Sequence, residues 1–205
     1  IAREAALESI VLLENRDQAL PLDKAKLTSM AVIGPLADDG YEQMGTWVFD
    51  GDPDLSETPL QAIREFAGGK LTVQHVRAMP TTRSRTTEAF DKAVAAARSS
   101  DVVVAFLGEE AILSGEAHSR ADISLPGNQL ELLRRLHATG KPVISVIMAG
   151  RPLTLKRDVE HSDAILFAGH PGSMGGPAIS DILFGVESPS GKVPVTFPRM
   201  VGQVP

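Results

Sequence analysis

Three glutamates stand in one connecting segment of the sequence, residues 108–126. Glu109, Glu110 and Glu116 follow the apolar run DVVVAFL and precede GNQLELLRRLHATG. The apolar run predicts a buried strand, and the spacing of leucines in the second stretch predicts a helix. A glutamate in a loop at the end of a strand can act as a general acid or base. The segment is therefore the first candidate for catalysis, against the common alternative of a solvated loop whose charges serve solubility.

Glu116 belongs to a compact E-x-x-x-R-x-D series. Gly115 precedes it, and Arg120 and Asp122 complete the series. Arg120 and Asp122 have opposite charges and lie two residues apart, so we expect them to pair and fix the shape of the loop. From spacing alone, a catalytic Glu116 and a loop of solubilising charges both remain open.

The single tryptophan, Trp47, lies in a second long polar segment, DDGYEQMGTWVFDGDPDLSETP. A loop of this length in a compact domain is usually functional or disordered. Trp47 is either a buried anchor or a flat surface on which a sugar ring stacks. Asp50, Asp52 and Asp54 follow it and can accept hydrogen bonds from sugar hydroxyls. The two interpretations of Trp47 are equally open at this point.

Three other kinds of site fit the sequence poorly. The Gly-rich HPGSMGG at 170–176 has the spacing G-x-x-G-x-x-G from Gly169, which differs from the dinucleotide fingerprint G-x-G-x-x-G. Ser173 lacks the first glycine of the G-x-S-x-G serine hydrolase motif. The five histidines are scattered, and none forms an H-x-x-x-H or H-E-x-x-H pair. We therefore expect neither a nucleotide nor a metal at this chain's site.

The order of elements indicates an α/β three-layer sandwich with a mostly parallel sheet of five or six strands. Helical patterns alternate with continuous apolar strands, which is typical of strands buried on both faces. We expect helices over 2–15 and 151–162 and a short last strand at 190–198. Ligands of such sheets bind beyond the carboxyl ends of the strands. The segments expected there are 36–58, 108–126, 149–152 and 169–176.

Composition excludes several classes of protein. The 205 residues, 43% of them hydrophobic, are enough for one sizeable core. A net charge of −6 argues against a nucleic-acid binder, and no apolar run approaches the length of a membrane span. The absence of cysteine fits a reducing or an oxidising compartment. The chain begins without Met, and acids among its first apolar residues are unlike a signal peptide, so we expect a fragment or a processed product.

Five stretches in order along nearly the whole chain resemble the second domain of family 3 glycoside hydrolases, with the nearest likeness to bacterial β-glucosidases. The last of them, with its D-x-L-F-G and P-S-G-K-x-P-x-T-F-P elements, is the most specific. The stretches are REAALESIVLLEN with LPL, AVIGPLAD with MGTW, DVVVAFLGEE with SGEAHSRADISLPGNQ, GKPVISVIMAGRPL, and GGPAISDILFGVESPSGKVPVTFP.

The resemblance implies a division of labour between domains. Residues 1–205 would form the α/β sandwich, and 198–205 would begin a linker to a further domain. An N-terminal (β/α)8 barrel outside this chain would supply an Asp nucleophile. Glu116 would be the general acid/base of a retaining double displacement that releases terminal β-D-glucosyl residues. Glu109, Arg120 and Asp122 would support its loop.

The same resemblance implies the ligands. Trp47 and Asp50 would contact β-glucosides or cello-oligosaccharides, and neither a cofactor nor a metal would be needed. The resemblance favours a periplasmic or secreted location and leaves a cytoplasmic one open. It also leaves open whether the protein forms a homodimer. HPGSMGG departs from the family's usual Y-P-G-Q-E-G-G, which affects the expected aglycone more than the chemistry. The alternatives are a β-xylosidase or other β-glycosidase of the family, or a non-catalytic sugar-binding or structural module.

Overall fold

A computed structural model describes residues 1–203 and contains a six-stranded sheet with helices on both faces. The strand order is β1-β6-β5-β4-β2-β3, in which β1 runs antiparallel to β6 and all other pairs are parallel. The predicted α/β sandwich with a mostly parallel sheet is confirmed. Of the expected linker 198–205, residues 204 and 205 lie outside the described residues. The strands are β1 Val11–Asn15, β2 Ser29–Ile33, β3 Thr72–Val76, β4 Val102–Gly108, β5 Val143–Met148 and β6 Ala164–Phe167.

Within residues 1–203, six α-helices form the outer layers. Helices α1, α2 and α6 pack together on one face of the sheet, and α3, α4 and α5 pack on the other. No helix within residues 1–203 combines the length and the apolar character needed to cross a bilayer. The helices are α1 Ala2–Ser9, α2 Pro59–Ala67, α3 Phe90–Arg98, α4 Gln129–His137, α5 Lys156–Val159 and α6 Gly175–Leu183.

The central strands β4 and β5 are buried along their whole length. Successive side chains of a strand point to opposite faces, so Val104 and Phe106 enter the core under α2 and α6 while Val103 and Leu107 enter the core under α3 and α4. These two strands are therefore apolar except for Ser145, because neither of their faces meets water.

The prediction of an N-terminal helix over 2–15 is wrong for the second half of that range. Helix α1 ends at Ser9, and Val11–Asn15 form the antiparallel edge strand β1. Leu12 packs into one core and Leu13 into the other, which a strand between two layers allows. The consecutive β-branched residues Ile10 and Val11 mark the change, because such side chains favour strands over helices.

Two C-terminal expectations are also corrected. The helix expected over 151–162 is limited to the single turn of α5, Lys156–Val159. Residues 190–198 form no strand. Pro194 has no N–H to donate to a ladder, and Phe197 instead packs edge-on against Phe167, with ring centroids 5.0 Å apart.

The loops after β2, β4, β5 and β6 meet at the carboxyl edge of the sheet, as expected for parallel strands. Glycines permit close contact of the backbones there. A Cβ added at Gly34 would lie 2.1 Å from the carbonyl oxygen of Phe106, and one at Gly108 would lie 1.8 Å from that of Met148. Both glycines have positive φ, 124° and 144°, which side-chain-bearing residues rarely adopt.

Candidate active site

Glu116 lies exposed at the tip of the loop after β4. Its neighbours Gly115 and Ala117 both have positive φ, 105° and 63°, so the backbone turns sharply on either side of it. The turn is closed by two bonds from His118, whose N–H donates to the Gly115 carbonyl (3.2 Å) and whose Nδ1 donates to the Ser114 carbonyl (3.0 Å). We call residues 114–117 the Glu116 turn.

Glu109 is a fully buried carboxylate at the base of the same loop, with 0% of its side chain exposed. Arg120 donates to its Oε1, and Arg151, from the loop after β5, donates to its Oε2 at 3.1 Å. Burying a charge costs little only when it is paired and hydrogen-bonded. The two guanidinium groups satisfy that condition for Glu109 and join the loops after β4 and β5.

Arg120 does not pair with Asp122 in the way the sequence suggested. Its guanidinium turns to Glu109 and also donates to the carbonyl of Ser124 at 3.2 Å. Asp122 accepts bonds from the backbone N–H and hydroxyl of Ser124, at 2.9 and 2.6 Å. These bonds lower the pKa of Asp122, and Arg120 adds a smaller contribution. Arg120 and Asp122 therefore bond to other residues of the same loop, Glu109 and Ser124, and not to each other.

Glu110 ties the loop to the segment after β3. Its carboxylate accepts from the hydroxyl of Thr82 (2.7 Å) and from two nitrogens of Arg83 (3.0 and 3.1 Å). Burial raises the pKa of Glu110, but the bonds from Arg83 and Thr82 outweigh it, and the pKa lies below its usual value. Glu110 therefore stays ionised, which suits a structural role.

The loop after β2 packs against the Glu116 turn. The hydroxyl of Thr46 contacts the carbonyl oxygens of Ala111 and Ser114 and the hydroxyl of Ser114. A Cβ added at Gly115 would lie 2.7 Å from Cγ2 of Thr46 and 3.7 Å from Cζ2 of Trp47. The structure thus places Trp47 beside the turn that carries Glu116.

Trp47 is 61% exposed, which contradicts the interpretation as a buried anchor. Its ring meets Phe49 edge-on at 6.2 Å, and Phe49 is exposed as well. Asp50 is exposed on the same loop. The loop therefore exposes an apolar aromatic pair close to the Glu116 turn.

Sequence reasoning did not single out Glu42 and did not place His170 beside it. Glu42 accepts a bond from the N–H of Ala111, and burial raises its pKa against the effect of that bond. His170 contacts the carbonyl of Glu42 (3.2 Å) and the hydroxyl of Ser114 (3.4 Å), and burial lowers its pKa. The absence of a side chain at Gly45 makes room for His170, since a Cβ at Gly45 would lie 2.9 Å from the His170 side chain. No short-range signal links residues so far apart in the chain.

The described residues 1–203 contain no cluster of three or more His, Cys, Asp or Glu side chains arranged to hold a metal ion. The loops at the carboxyl edge instead form an exposed acid held by buried charge pairs. Such an arrangement can transfer a proton to or from a ligand that enters from outside this domain.

The sequence model of the Glycosyl hydrolase family 3 C-terminal domain matches residues 10–205. The chain belongs to this family. A periplasmic β-glucosidase of Salmonella typhimurium is 41% identical over 100% of the chain and 29% of its own length. A β-xylosidase of Formosa agariphila is 37% identical, again over 100% of the chain and 29% of its own length. The chain thus spans under a third of the length of these family 3 relatives.

A solved family relative has the same fold. The β-glucosidase of Listeria innocua, in a complex with isofagomine, superposes with a TM-score of 0.89 at 36% sequence identity. The match covers 99% of this chain and 27% of that one. The six-stranded architecture described above is therefore that of the family 3 C-terminal domain.

Proposed function

We propose that this chain is the acid/base domain of a retaining β-glycosidase that releases terminal β-D-glucosyl residues, with Glu116 as the general acid/base. The observation that carries the proposal is the placement of Glu116. It stands exposed at a sharply turned loop tip at the carboxyl edge of the sheet, on a base of buried ion pairs. Membership of a glycoside hydrolase family supports cleavage of a glycosidic bond as the chemistry proposed for that acid.

Retaining hydrolysis needs two carboxyl groups about 5–5.5 Å apart, one a nucleophile and one an acid/base. In this proposal the nucleophile is an Asp of a separate (β/α)8 barrel domain, and Glu116 reaches it from the loop tip. Glu116 first gives its proton to the departing glycosidic oxygen while the nucleophile attacks the anomeric carbon. The resulting carboxylate then takes a proton from water, which releases the sugar from the nucleophile. On this proposal the sandwich is inactive without the barrel.

The proposed substrates are β-glucosides or cello-oligosaccharides, supported by likeness to the β-glucosidases of Salmonella typhimurium and Listeria innocua. The likeness to a Formosa agariphila β-xylosidase supports a β-xyloside as the second candidate. Trp47 and Asp50 are proposed to contact the leaving group, because they lie exposed on the loop beside the Glu116 turn. A periplasmic location is proposed from the Salmonella relative alone.

The test is Glu116→Ala in the complete polypeptide, with kcat/KM measured for cellobiose and for an activated aryl β-glucoside. Cellobiose needs a protonated leaving group, so its kcat/KM should fall by about 10²–10⁴-fold. The activated aryl group leaves without a proton, so its kcat/KM should change little. Glu160→Ala is the matched control, since Glu160 is exposed just after α5.

Unchanged cellobiose hydrolysis in Glu116→Ala would contradict the proposal. A non-catalytic sugar-binding module makes the opposite prediction. In that case Trp47→Ala weakens sugar binding, and Glu116→Ala has little effect on any measured quantity.

A further inference from the structure

We infer that Arg151 is a positioning residue, which holds the Glu116 turn in place over the sheet edge by joining both ends of the turn to the buried Glu109. The inference rests on the proposed role of Glu116 and names a residue in a different loop on which that role depends. It follows from the contacts of one guanidinium group.

The guanidinium of Arg151 bonds on both sides of the turn. Its Nη2 donates to the carbonyl of Leu113, just before the turn, and to the carbonyl of His118, just after it (2.9 Å). Its Nε donates to Oε2 of Glu109 at 3.1 Å. One planar group therefore fixes the distance between the ends of the turn and the position of both ends relative to β4.

The internal bonds of the turn do a different job. The two bonds from His118 to Gly115 and Ser114 set the shape of the turn. They do not connect it to the sheet. Thr46, from the loop after β2, bonds Ser114 at the start of the turn. Arg151 joins both ends of the turn to Glu109, because Arg151 lies three residues after β5 and Glu109 follows β4 directly. Loss of Arg151 leaves the internal bonds of the turn and its contacts with Thr46, and frees its far end at His118 to shift.

Local packing favours arginine at this position. The side chain of Arg151 is 20% exposed and lies between Glu109 and the turn. The preceding Gly150 allows this approach, because a Cβ there would lie 2.4 Å from the hydroxyl of Ser114. The planar fork of a guanidinium places separate donors toward the carboxylate and the two carbonyls, whereas a lysine ammonium is a single point charge without that geometry.

A small shift of Glu116 is enough to matter. Misplacement of a catalytic group by about 1 Å can cost about 10²-fold in rate. The cost falls on the proton-transfer step, so it should depend on how much the leaving group needs a proton. A purely structural role of Arg151 would instead lower activity on all substrates alike.

Arg120 provides a matched control. It also pairs with Glu109, and its side chain is similarly covered, 17% exposed. Its other bond goes to the carbonyl of Ser124, well past the turn. Removing either arginine leaves Glu109 with one partner, but only removal of Arg151 breaks the bonds to the carbonyls of Leu113 and His118 at the two ends of the Glu116 turn.

The experiment compares Arg151→Ala, Arg151→Lys and Arg120→Ala in the complete, barrel-containing polypeptide. Cellobiose and an activated aryl β-glucoside are the two substrates, and the melting temperature of each variant is recorded. For Arg151→Ala, we expect kcat/KM for cellobiose to fall about 10- to 100-fold and that for the aryl glucoside to change less than about 3-fold. Arg151→Lys should keep the ion pair and lose one or both carbonyl bonds, which gives an intermediate fall.

Arg120→Ala should lower the melting temperature while the ratio of the two kcat/KM values stays within about 3-fold of wild type. The inference is overturned if Arg151→Ala changes both substrates equally, or if Arg120→Ala changes the ratio as much. If Arg151→Ala does not fold, Arg151→Lys provides the test. A ratio of kcat/KM for cellobiose to kcat/KM for the aryl glucoside equal to that of wild type in Arg151→Lys then overturns the inference.

Glu116→Ala in the same series separates the two claims. If it abolishes cellobiose hydrolysis while the ratio in the Arg151 variants stays at the wild-type value, only the role of Arg151 is wrong. If it leaves cellobiose hydrolysis intact, the proposed function and the role of Arg151 both fail.

Discussion

Asp158 should make the stability of this domain fall as the pH rises. The side chain lies in α5, is 3% exposed, and its Oδ1 has no hydrogen-bond partner among the described residues. Burial raises the pKa of Asp158 from 3.8 to about 7. Desolvation penalises the charged form of this carboxyl and outweighs the smaller, opposing effects of the hydrogen bond from its own backbone N–H and of Arg157.

The sign follows from the two pKa values. The unfolded chain releases the Asp158 proton near pH 3.8, whereas the folded chain keeps it to about pH 7. The favourable contribution is therefore fully present below about pH 4, is lost progressively as the pH rises to about 7, and stays lost above that. The difference in pKa corresponds to at most about 4 kcal/mol between pH 4 and pH 8.

The assay is urea unfolding of the chain at pH 4, 6 and 8, followed by circular dichroism, for wild type and Asp158→Asn. Asparagine resembles the protonated carboxyl, so the variant should match wild type at pH 4 and exceed it at pH 8 by up to about 4 kcal/mol. Asp91→Asn is the control, because the Asp91 side chain is 98% exposed. A free-energy difference between Asp158→Asn and wild type that is the same at all three pH values would refute the reasoning.

Three further predictions concern the loops of the site. Glu109→Gln removes a buried charge from between two arginines and should lower the free energy of unfolding by about 3–5 kcal/mol in a denaturant titration, whereas an unchanged midpoint would contradict the buried pairing. Gly115→Ala places a side chain at a positive φ and against Thr46, so it should lower the free energy of unfolding by about 1–3 kcal/mol in thermal unfolding. An unchanged melting temperature would contradict this prediction. Trp47→Ala should leave the melting temperature unchanged, because Trp47 is largely exposed. It should raise KM for aryl β-glucosides about 5- to 10-fold, a ratio typical of one lost aromatic contact. An unchanged KM would show that Trp47 does not contact the substrate.

The sheet was largely predictable because the sequences of its central strands are apolar almost throughout. Residues 102–107 are a continuous apolar run and residues 143–148 are apolar except for Ser145, which is typical of strands covered on both faces. Strand β1 was not predictable in this way. Its sequence VLLEN continues the helical spacing of the residues before it, and only pairing with β6 selects the extended form.

The candidate site was predictable in its outline and not in its contacts. The position of Glu109 and Glu116 after a buried strand already places them at the carboxyl edge of the sheet. The partner of Arg120 was mistaken, because a near neighbour of opposite charge looked sufficient, whereas a fully buried Glu109 has the stronger need for a counter-charge. Arg151 lies 42 residues from Glu109, and only the pairing of β4 with β5 brings the two together.

The acid/base role of Glu116 is tested most directly by adding azide to Glu116→Ala in the barrel-containing protein, with an activated aryl β-glucoside as substrate. If Glu116 is the acid/base, azide should restore turnover, because this small anion replaces water at the sugar–enzyme intermediate without needing a general base. The product should then be β-glucosyl azide, with the configuration of the substrate retained. Turnover at the wild-type rate without azide, and no glucosyl azide in its presence, would show that Glu116 is not the acid/base.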